Sequence, residues 1–376
     1  MGRVVVLGAG MVGSAIARDL KQNHEVTSVD LQDEALAALS GDGIRTRQAD
    51  LSDEQAVRDS IAKADLVICA VPGFMGRRTL GSIIDAGKPV VDISFMPEDA
   101  LELDSLARER GVTAVVDMGV APGMDNVIFG YHDTRMKVER FECLVGGLPQ
   151  ARTYPFEYKA PFSPIDVIEE YTRPARFVVN GELVTRPALS EPELVEFEKP
   201  GTLEAFNSDG LRSLISTMAH VPDMKEKTLR YRGHRDLMAA LDAGGFFSTE
   251  PIAVAGHKIR AIDASSAILL AAWKLAPDEK EFTVMRVTLE GEESGERVRY
   301  VYDLYDEFDT ASQTSSMART TGYACAAAAE LLLSGTYGVA GVSAPEMVGR
   351  APGCYEAVMK YQRDRGISYK HRREII

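Results

Sequence analysis

This chain of 376 residues lacks most of what would mark a disulfide-stapled, metal-clustered or membrane-spanning protein. Its four cysteines, Cys69, Cys143, Cys325 and Cys354, lie far apart with no CxxC spacing. That argues against a disulfide framework or a zinc cluster and suits a reducing compartment. The six histidines, at 24, 132, 220, 234, 257 and 371, show neither HxH nor HxxxH spacing, so no metal site is expected. No GxSxG is present, which removes the commonest signature of a serine hydrolase. Long apolar runs are missing too: Ala324–Leu333 is broken by Glu330 and is half of what a bilayer requires. Cations are scarce, 42 against 56 acidic residues, for a net charge of -14. Such a surface repels nucleic acid and anionic membrane, so neither is an expected partner, whereas a small basic substrate is mildly favoured. Met1–Leu7 runs straight into a strand and leaves no room for a signal peptide, so a cytoplasmic location is the expectation.

What is present has ordinary globular proportions, 45% hydrophobic and 26% charged, and the length suits two domains. Up to about residue 120, short apolar runs alternate with helical stretches. Strands are expected at Arg3–Leu7, Val26–Val29, Arg45–Ala49, Leu66–Ala70, Val90–Asp92 and Val112–Asp117. Helices are expected at Met11–Gln22, Asp33–Leu39, Glu54–Lys63, Thr79–Ala86 and Asp99–Arg110. This alternation implies parallel βαβ units, whose sheet is covered on both faces and so carries continuous runs such as VVVL and LVICAV.

Beyond Asn126 the texture changes. Phe141–Gly146, Ala175–Asn180, Phe282–Glu290 and Val298–Tyr305 are β-branched or aromatic, and the last two flank the polar stretch GEESGER, a hairpin signal. A second, α+β domain of mainly antiparallel sheet follows from this. From Ser312 the chain returns to helix, with alanine-rich Ala324–Leu333 ending near Gly335 as a C-cap. The division expected is 1–126, 127–311 and 312–376.

The stretch VVVLGAGMVGSAIARDL sets Gly8, Gly10 and Gly13 in GxGxxG spacing between a strand and a helix. Gly8 allows the tight turn, Gly10 lacks the Cβ that would strike a diphosphate, and Gly13 lets helix and strand pack closely. The loop residues Ala9, Met11 and Val12 then present backbone amides at a helix N-terminus, where anions bind. Asp30 closes the next strand, 17 residues after Gly13, placed to accept both ribose hydroxyls and to repel a 2′-phosphate. An N-terminal Rossmann domain binding NAD in preference to NADP is therefore expected. Open α/β sheets bind ligands at their carboxyl edge, so later strand ends join the cofactor list. Asp50 and Leu51 would flank the adenine, Ala70, Val71 and Pro72 the nicotinamide ribose, with Met118 nearby. Ser94 and Phe95 would stand near the reacting atoms.

The stretch VDMGVAPGMDN, Val116–Asn126, ends the sixth strand and enters a helix with Asp125 in its first turn, where a carboxylate also simply stabilises the helix dipole. Together with the glycine fingerprint, this G-x-x-PG-x-D loop resembles the saccharopine dehydrogenase-like family. Tyr158, Lys159, Phe162, Ser163 and Pro164 in PFEYKAPFSP are similar to that family's Y-K-x-x-W-S-P segment, with Phe162 in the tryptophan position. Ala188–Leu214 and Lys227–His234 are most similar to its lysine 6-dehydrogenase branch. One departure is Phe95, where saccharopine reductases usually carry tyrosine.

The resemblance implies C-terminal helices that pack back on the Rossmann domain and a homodimer formed through the middle domain. It also implies NAD-dependent oxidation of the ε-amino group of L-lysine to the 6-semialdehyde, which closes to a cyclic imine. On that reading Arg212 or Arg230 anchors the substrate carboxylate, and Asp125 or Asp209 holds its ammonium with Asn207 and Tyr158 assisting. Lys159 or His234 removes the proton, with Asp92 and Asp117 as competitors for that role. A saccharopine dehydrogenase cleaving a secondary amine, and a non-catalytic NAD sensor, are the alternatives.

Overall fold

The run Val4–Leu7 is buried on both sheet faces as the core of β1 (Arg3–Leu7), as a strand in a doubly covered parallel sheet must be. The computed structural model describes residues 1–160, 164–276 and 279–376, without the side chains of 164–166. Contacts divide the chain into two units. One holds Met1–Lys137, Arg212–Thr217 and Ala318–Ser368; the other holds Val138–Leu211, Met218–Met317 and Tyr369–Ile376.

In the first unit β1 is followed by α1 (Met11–Leu20), β2 (Glu25–Asp30), α2 (Asp33–Gly41), β3 (Arg45–Gln48) and α3 (Glu54–Ile61). Then come β4 (Leu66–Cys69), α4 (Gly73–Asp85), β5 (Val90–Asp92), α5 (Asp104–Arg110), β6 (Thr113–Val115) and α6 (Met124–Asp133). β1 pairs in parallel with β2 on one side and β4 on the other, so the strand order reverses there and opens a crevice at the carboxyl ends. A seventh parallel strand, Gly341–Ser343, extends the sheet beside β6. Three residues between two helices carry too little periodicity to read as a strand, and the sequence reading missed it.

Helix α4 begins six residues before the expected Thr79. The stretch GFMGRR reads as loop because of its glycines, but both glycines are there for packing. A Cβ on Gly73 would lie 2.4 Å from the Phe95 carbonyl oxygen, and one on Gly76 would lie 2.3 Å from Ser94 Oγ. The expected helix at Asp99–Arg110 is a 3-10 turn, Ala100–Leu103, followed by α5.

The C-terminal helices Ser316–Leu333, Pro345–Arg350 and Cys354–Asp364 pack on the nucleotide-type sheet unit, as expected. Gly322 sits against Ile16 and Ala15 of α1, Arg365 Nε donates to Asp19 at 2.6 Å, and His24 Nε2 lies 3.0 Å from Glu330.

The second unit is built on one large sheet. Its main path runs Glu193–Glu196, Thr202–Asn207, Asp223–Arg230, Lys137–Pro149, Glu281–Glu293, Glu296–Glu307 and Tyr369–Ile375, with Ala175–Val179 and Glu182–Arg186 to the side. Most pairings among the described residues are antiparallel, but Asp223–Arg230 runs parallel to Lys137–Pro149, so the sheet is mixed. The long hairpin extends through the expected GEESGER loop and turns on Ser294 and Gly295 alone, at φ +53° and +84°. Positive φ at both central residues matches the right-handed strand twist, which is why a two-residue turn suffices. The chain ends in a strand where helix was expected: Tyr369–Ile375 pairs with Glu296–Glu307 from Leu304↔Tyr369 to Val298↔Ile375. No helix among the described residues is long and apolar enough to cross a membrane.

Candidate active site

The loop after β1 has the geometry its glycines promised. Gly8 adopts φ +108°, and a Cβ there would fall 2.3 Å from the Ala70 carbonyl oxygen. A Cβ on Gly13 would fall 2.2 Å from the Gly8 carbonyl oxygen, whereas one on Gly10 would meet nothing within 4 Å. Two glycines are thus demanded by protein packing, and the third leaves an open face at the N-terminus of α1. Gly10 caps that helix with no side-chain hydrogen bond, so its first amides point outward from the turn.

Asp30 has a second task that its position in the sequence did not reveal. It accepts from the Ala9 N–H at 2.6 Å and from the Gln32 N–H at 2.9 Å, stapling the glycine loop to the end of β2. The residues immediately after it, Leu31, Gln32, Asp33 and Glu34, include no cation that would pair with a 2′-phosphate. An open glycine, outward amides and a half-buried carboxylate fit a dinucleotide.

The other expected cofactor residues divide. Ala70 is half-buried and Pro72 exposed at the start of α4, Met11 is exposed and Val12 half-buried, and Asp50 is exposed with its carboxylate accepting from the Ser52 N–H at 2.8 Å. The Ser52 hydroxyl, with that amide second, holds Asp50 below the usual carboxylate range. Leu51 and Val71 belong to the hydrophobic core, and Met118 is fully buried, so their side chains serve packing. Leu31 and Phe74, 58% and 78% exposed, follow β2 and β4 and were not singled out from sequence.

At the end of β5, Ser94 turns inward. Its hydroxyl donates to Asp92 at 2.8 Å and its N–H at 3.0 Å, and it is buried, which removes it from the substrate-contact role expected of it. Burial pushes Asp92 up to about 7, against the lowering effect of donors Cys69 and Ser94.

Phe95 is half-buried, with the Arg212 guanidinium 4.6 Å from its ring centroid. Arg212 Nε donates to Asp117 at 2.9 Å, the two side chains being only 9% and 7% exposed. Both residues have positive φ, +44° and +53°. Two adjoining non-glycine residues held in a left-handed conformation, costing about 1–3 kcal/mol each, are the pattern of a site where geometry outranks stability.

Asp125 is fully buried in the first turn of α6. Its Oδ1 accepts from the Gly123 N–H at 2.9 Å, while Oδ2 has no hydrogen-bond partner among the described residues. Burial, with Glu346 adding repulsion, raises it well above the usual carboxylate range.

The second unit gathers Tyr158, Tyr171, Arg230, His234 and Trp273 into one buried cluster. Arg230 Nε donates to Tyr171 at 3.1 Å, Nη1 to the Leu229 carbonyl at 2.9 Å, and Nη2 to Glu170 at 2.7 Å with Tyr158 at 3.5 Å. Every nitrogen of the guanidinium is committed inside the unit, so Arg230 is a structural cation and not the carboxylate anchor. The Tyr171 hydroxyl lies 2.9 Å from His234 Nε2, and His234 Nδ1 lies 2.8 Å from the Phe156 carbonyl. A carbonyl can only accept, so Nδ1 carries the proton and Nε2 receives one from Tyr171. Burial beside Arg230 drives His234 down to about 3. A neutral imidazole with its acceptor nitrogen occupied does not fit the base role proposed for it.

Three further expectations change. Lys159 Nζ lies on the Ala272 and Lys274 carbonyls at 3.2 and 3.4 Å and 3.6 Å from Glu279, a cap on the helix Ala261–Trp273 and not a general base. Asp209 forms a bidentate pair with Arg176 at 2.9 Å through both oxygens, so it holds no ammonium. Asn207 is buried, donating to Ser190 at 2.9 Å, with its Oδ1 unpartnered among the described residues. Phe162 and Ser163 lie outside the described residues, and Pro164 begins the helix Pro164–Thr172.

Comparison with known proteins bears on both units. The family model for the saccharopine dehydrogenase NADP binding domain matches residues 4–115, and that for the saccharopine dehydrogenase C-terminal domain matches residues 119–367. The chain belongs to the saccharopine dehydrogenase family. Its first unit accordingly carries the family's nicotinamide-dinucleotide-binding domain.

Among family members, the chain is 26% identical over 278 residues to the saccharopine dehydrogenase [NADP(+), L-glutamate-forming] of Saccharomyces cerevisiae, covering 66% of this chain and 61% of that one. It is 26% identical over 244 residues to the alpha-aminoadipic semialdehyde synthase of Arabidopsis thaliana, 60% of this chain and 23% of that protein. It thus spans less than two thirds of these relatives. A 22% match to carboxyaminopropylagmatine dehydrogenase of Synechocystis covers 91% of this chain and 92% of that one. The solved apo saccharopine dehydrogenase (L-Glu forming) of Saccharomyces cerevisiae shares the fold, with a TM-score of 0.81 over 100% of both chains at 22% identity.

Proposed function

We propose that this saccharopine dehydrogenase family member is an NAD-dependent oxidoreductase that makes or breaks a secondary amine joining two amino-acid-derived parts. The observation that carries the reading is the presence, on one unit, of an open glycine loop stapled by Asp30 and of a guanidinium, Arg212, held on Asp117 over Phe95. The first binds a dinucleotide; the second suits a substrate carboxylate, for which arginine's planar fork is the usual partner. Saccharopine, the secondary amine of lysine and glutamate named in the relatives, is carboxyl-bearing on both sides of its nitrogen. The Synechocystis relative's substrate likewise joins, by its name, a carboxyaminopropyl group to agmatine.

In the oxidative direction the substrate loses a hydride from the carbon beside nitrogen and a proton from nitrogen. Water then adds to the resulting carbon–nitrogen double bond, and the products are an aldehyde and a primary amine. The nicotinamide ring supplies the hydride acceptor when bound. The protein's share is orientation and proton handling. Arg212 fixes a carboxylate. Asp125, raised above the ordinary carboxylate range and carrying an oxygen with no partner among the described residues, takes the nitrogen's proton, because a base tuned towards working pH is the more effective one.

The family model for residues 4–115 and the Saccharomyces cerevisiae relative name NADP, while Asp30 argues for NAD. The local chemistry is the better guide, since a carboxylate at this position and a phosphate on the ribose repel each other. Oxidation of the primary ε-amine of L-lysine is a second reading, supported by the likeness of Ala188–Leu214 and Lys227–His234 to that branch.

The experiment is NADH formation at 340 nm with saccharopine or L-lysine as the only amine, repeated with NADP. Reduction with saccharopine and not with lysine is expected. Activity with lysine alone would move the assignment to the primary amine, and no reduction with any carboxyl-bearing amine would end both readings.

A further inference from the structure

Residues Arg212–Thr217 belong to the nucleotide-binding unit although the chain on both sides of them belongs to the other. Six residues cannot hold themselves in place, so something in the unit must grip them. The grip is built at the crossing of α6 with the helix Pro345–Arg350. There the two backbones touch: a Cβ on Gly130 would fall 2.0 Å from the Glu346 carbonyl oxygen, and one on Gly349 would fall 2.2 Å from the Val127 carbonyl oxygen. Contact this close leaves Glu346 with no solvent exposure. A buried carboxylate must find donors within the protein.

It finds two, one at each oxygen. Thr217 Oγ1 donates to Oε1, and Asn126 Nδ2 donates to Oε2 at 2.9 Å. Asn126 also accepts from the Gly123 N–H at 3.2 Å and lies 3.5 Å from Ser213 Oγ. Arg350, bound to Asp133 at 2.8 Å, reaches the Thr217 carbonyl at 3.4 Å. The short helical turn Leu214–Thr217 is therefore tied at both ends, with Arg212 just ahead of it. The fork needs two acceptors, which a carboxylate has and an amide does not: glutamine would turn its NH2 towards one of the two donors.

We propose that Glu346 is a positioning residue: with Asn126 it clamps Arg212–Thr217 to the nucleotide-binding unit, so that the Arg212 guanidinium keeps a fixed place relative to the dinucleotide while it holds a substrate carboxylate. The inference rests on the carboxylate-anchor reading of Arg212 given above. Glu346 touches no substrate; it acts through Thr217 on the arginine five residues earlier. The clamp makes selectivity for carboxyl-bearing amines a property of the cofactor unit.

The test uses the full chain with Thr217→Val, which removes the donor hydroxyl and keeps the side-chain shape, Thr217→Ser as the conservative control, and Glu346→Gln as a second route. Backbone hydrogen exchange without substrate is read alongside KM for saccharopine, KM for NAD and kcat. Thr217→Val loses the contact with Glu346 and also the one with the Ser213 carbonyl at 2.9 Å; the loss at the charged acceptor predicts about tenfold faster exchange confined to residues 213–217 and about tenfold higher KM for saccharopine. KM for NAD and kcat should stay within about twofold, and Thr217→Ser should restore both altered readouts. Glu346→Gln should reproduce the localised exchange and the higher KM for saccharopine, with kcat read in Thr217→Val alone because Glu346 also adds repulsion at Asp125. A parallel rise in KM for saccharopine and for NAD, faster exchange spread through α6, or no change at all would overturn the clamp. A wild-type protein inactive with every carboxyl-bearing amine would instead refute the proposed function. The clamp would then be judged on exchange alone, localised acceleration upholding it and unchanged exchange refuting it.

Discussion

Asp30→Ser is the most informative single change, because one carboxylate is asked to do three things. It holds the glycine loop through Ala9 N–H and accepts from Gln32 N–H, and on the function proposed above it also selects NAD over NADP. Hydrogen bonds to a charged acceptor are worth about 1.5–3 kcal/mol, so losing the ribose contact should weaken NAD by about 2–3 kcal/mol, roughly 30- to 150-fold in kcat/KM. For NADP the sign reverses. Unit charges about 5 Å apart at an effective dielectric near 40 repel by about 2 kcal/mol, which the substitution relieves. The two effects together move the ratio of kcat/KM for NAD over NADP by about a thousandfold towards NADP. The assay is dinucleotide reduction at saturating amine with each cofactor in turn. A wild type that already prefers NADP, or a variant whose ratio moves by less than about tenfold, would refute the reasoning.

Asp92→Asn tests the buried carboxyl. Its pKa of about 7 in the folded chain lies above the ordinary unfolded value near 4, so its contribution to stability is complete below about pH 4 and lost as pH rises through 7. The variant should therefore gain on the wild type by up to about 4 kcal/mol between these limits, read as a Tm difference that widens with pH. A pH-independent difference would mean that Asp92 does not titrate there. Arg230→Met should cost about 3 kcal/mol in urea unfolding by leaving Glu170 without its buried cation, while KM for the amine stays unchanged. Intact stability with a tenfold higher KM would return Arg230 to the list of anchors.

The chemistry legible in the chain was the chemistry whose residues are neighbours. Gly8, Gly10, Gly13 and Asp30 lie within one βαβ unit, and their roles followed from spacing because the connecting strand and helix leave them a single arrangement. The alternation of strand and helix also foretold the parallel sheet. Where prediction faltered locally, as at the start of α4, a residue type was read for its usual meaning: Gly73 and Gly76 looked like loop and are glycines because Phe95 and Ser94 press against the helix.

The catalytic assignments were harder because a side chain's availability depends on partners remote in sequence. Asp209, His234, Lys159 and Arg230 each had the right functional group. Their consumption by Arg176, Tyr171, the end of the Ala261–Trp273 helix and Glu170 was invisible until the fold joined them. Arg212 stood equal with Arg230 as a candidate, and its bond to Asp117, 95 positions away, was just as invisible. Glu346, 220 positions from Asn126, had no signal at all.

By itself, then, the sequence determined the dinucleotide cradle, the layering of the nucleotide-binding sheet and the family, since each depends on short-range geometry or on a pattern of many residues taken together. Tertiary structure alone decided which charged groups are paired and buried within the fold. The physical reason is that burial and pairing are properties of contacts, and these contacts close over tens to hundreds of residues.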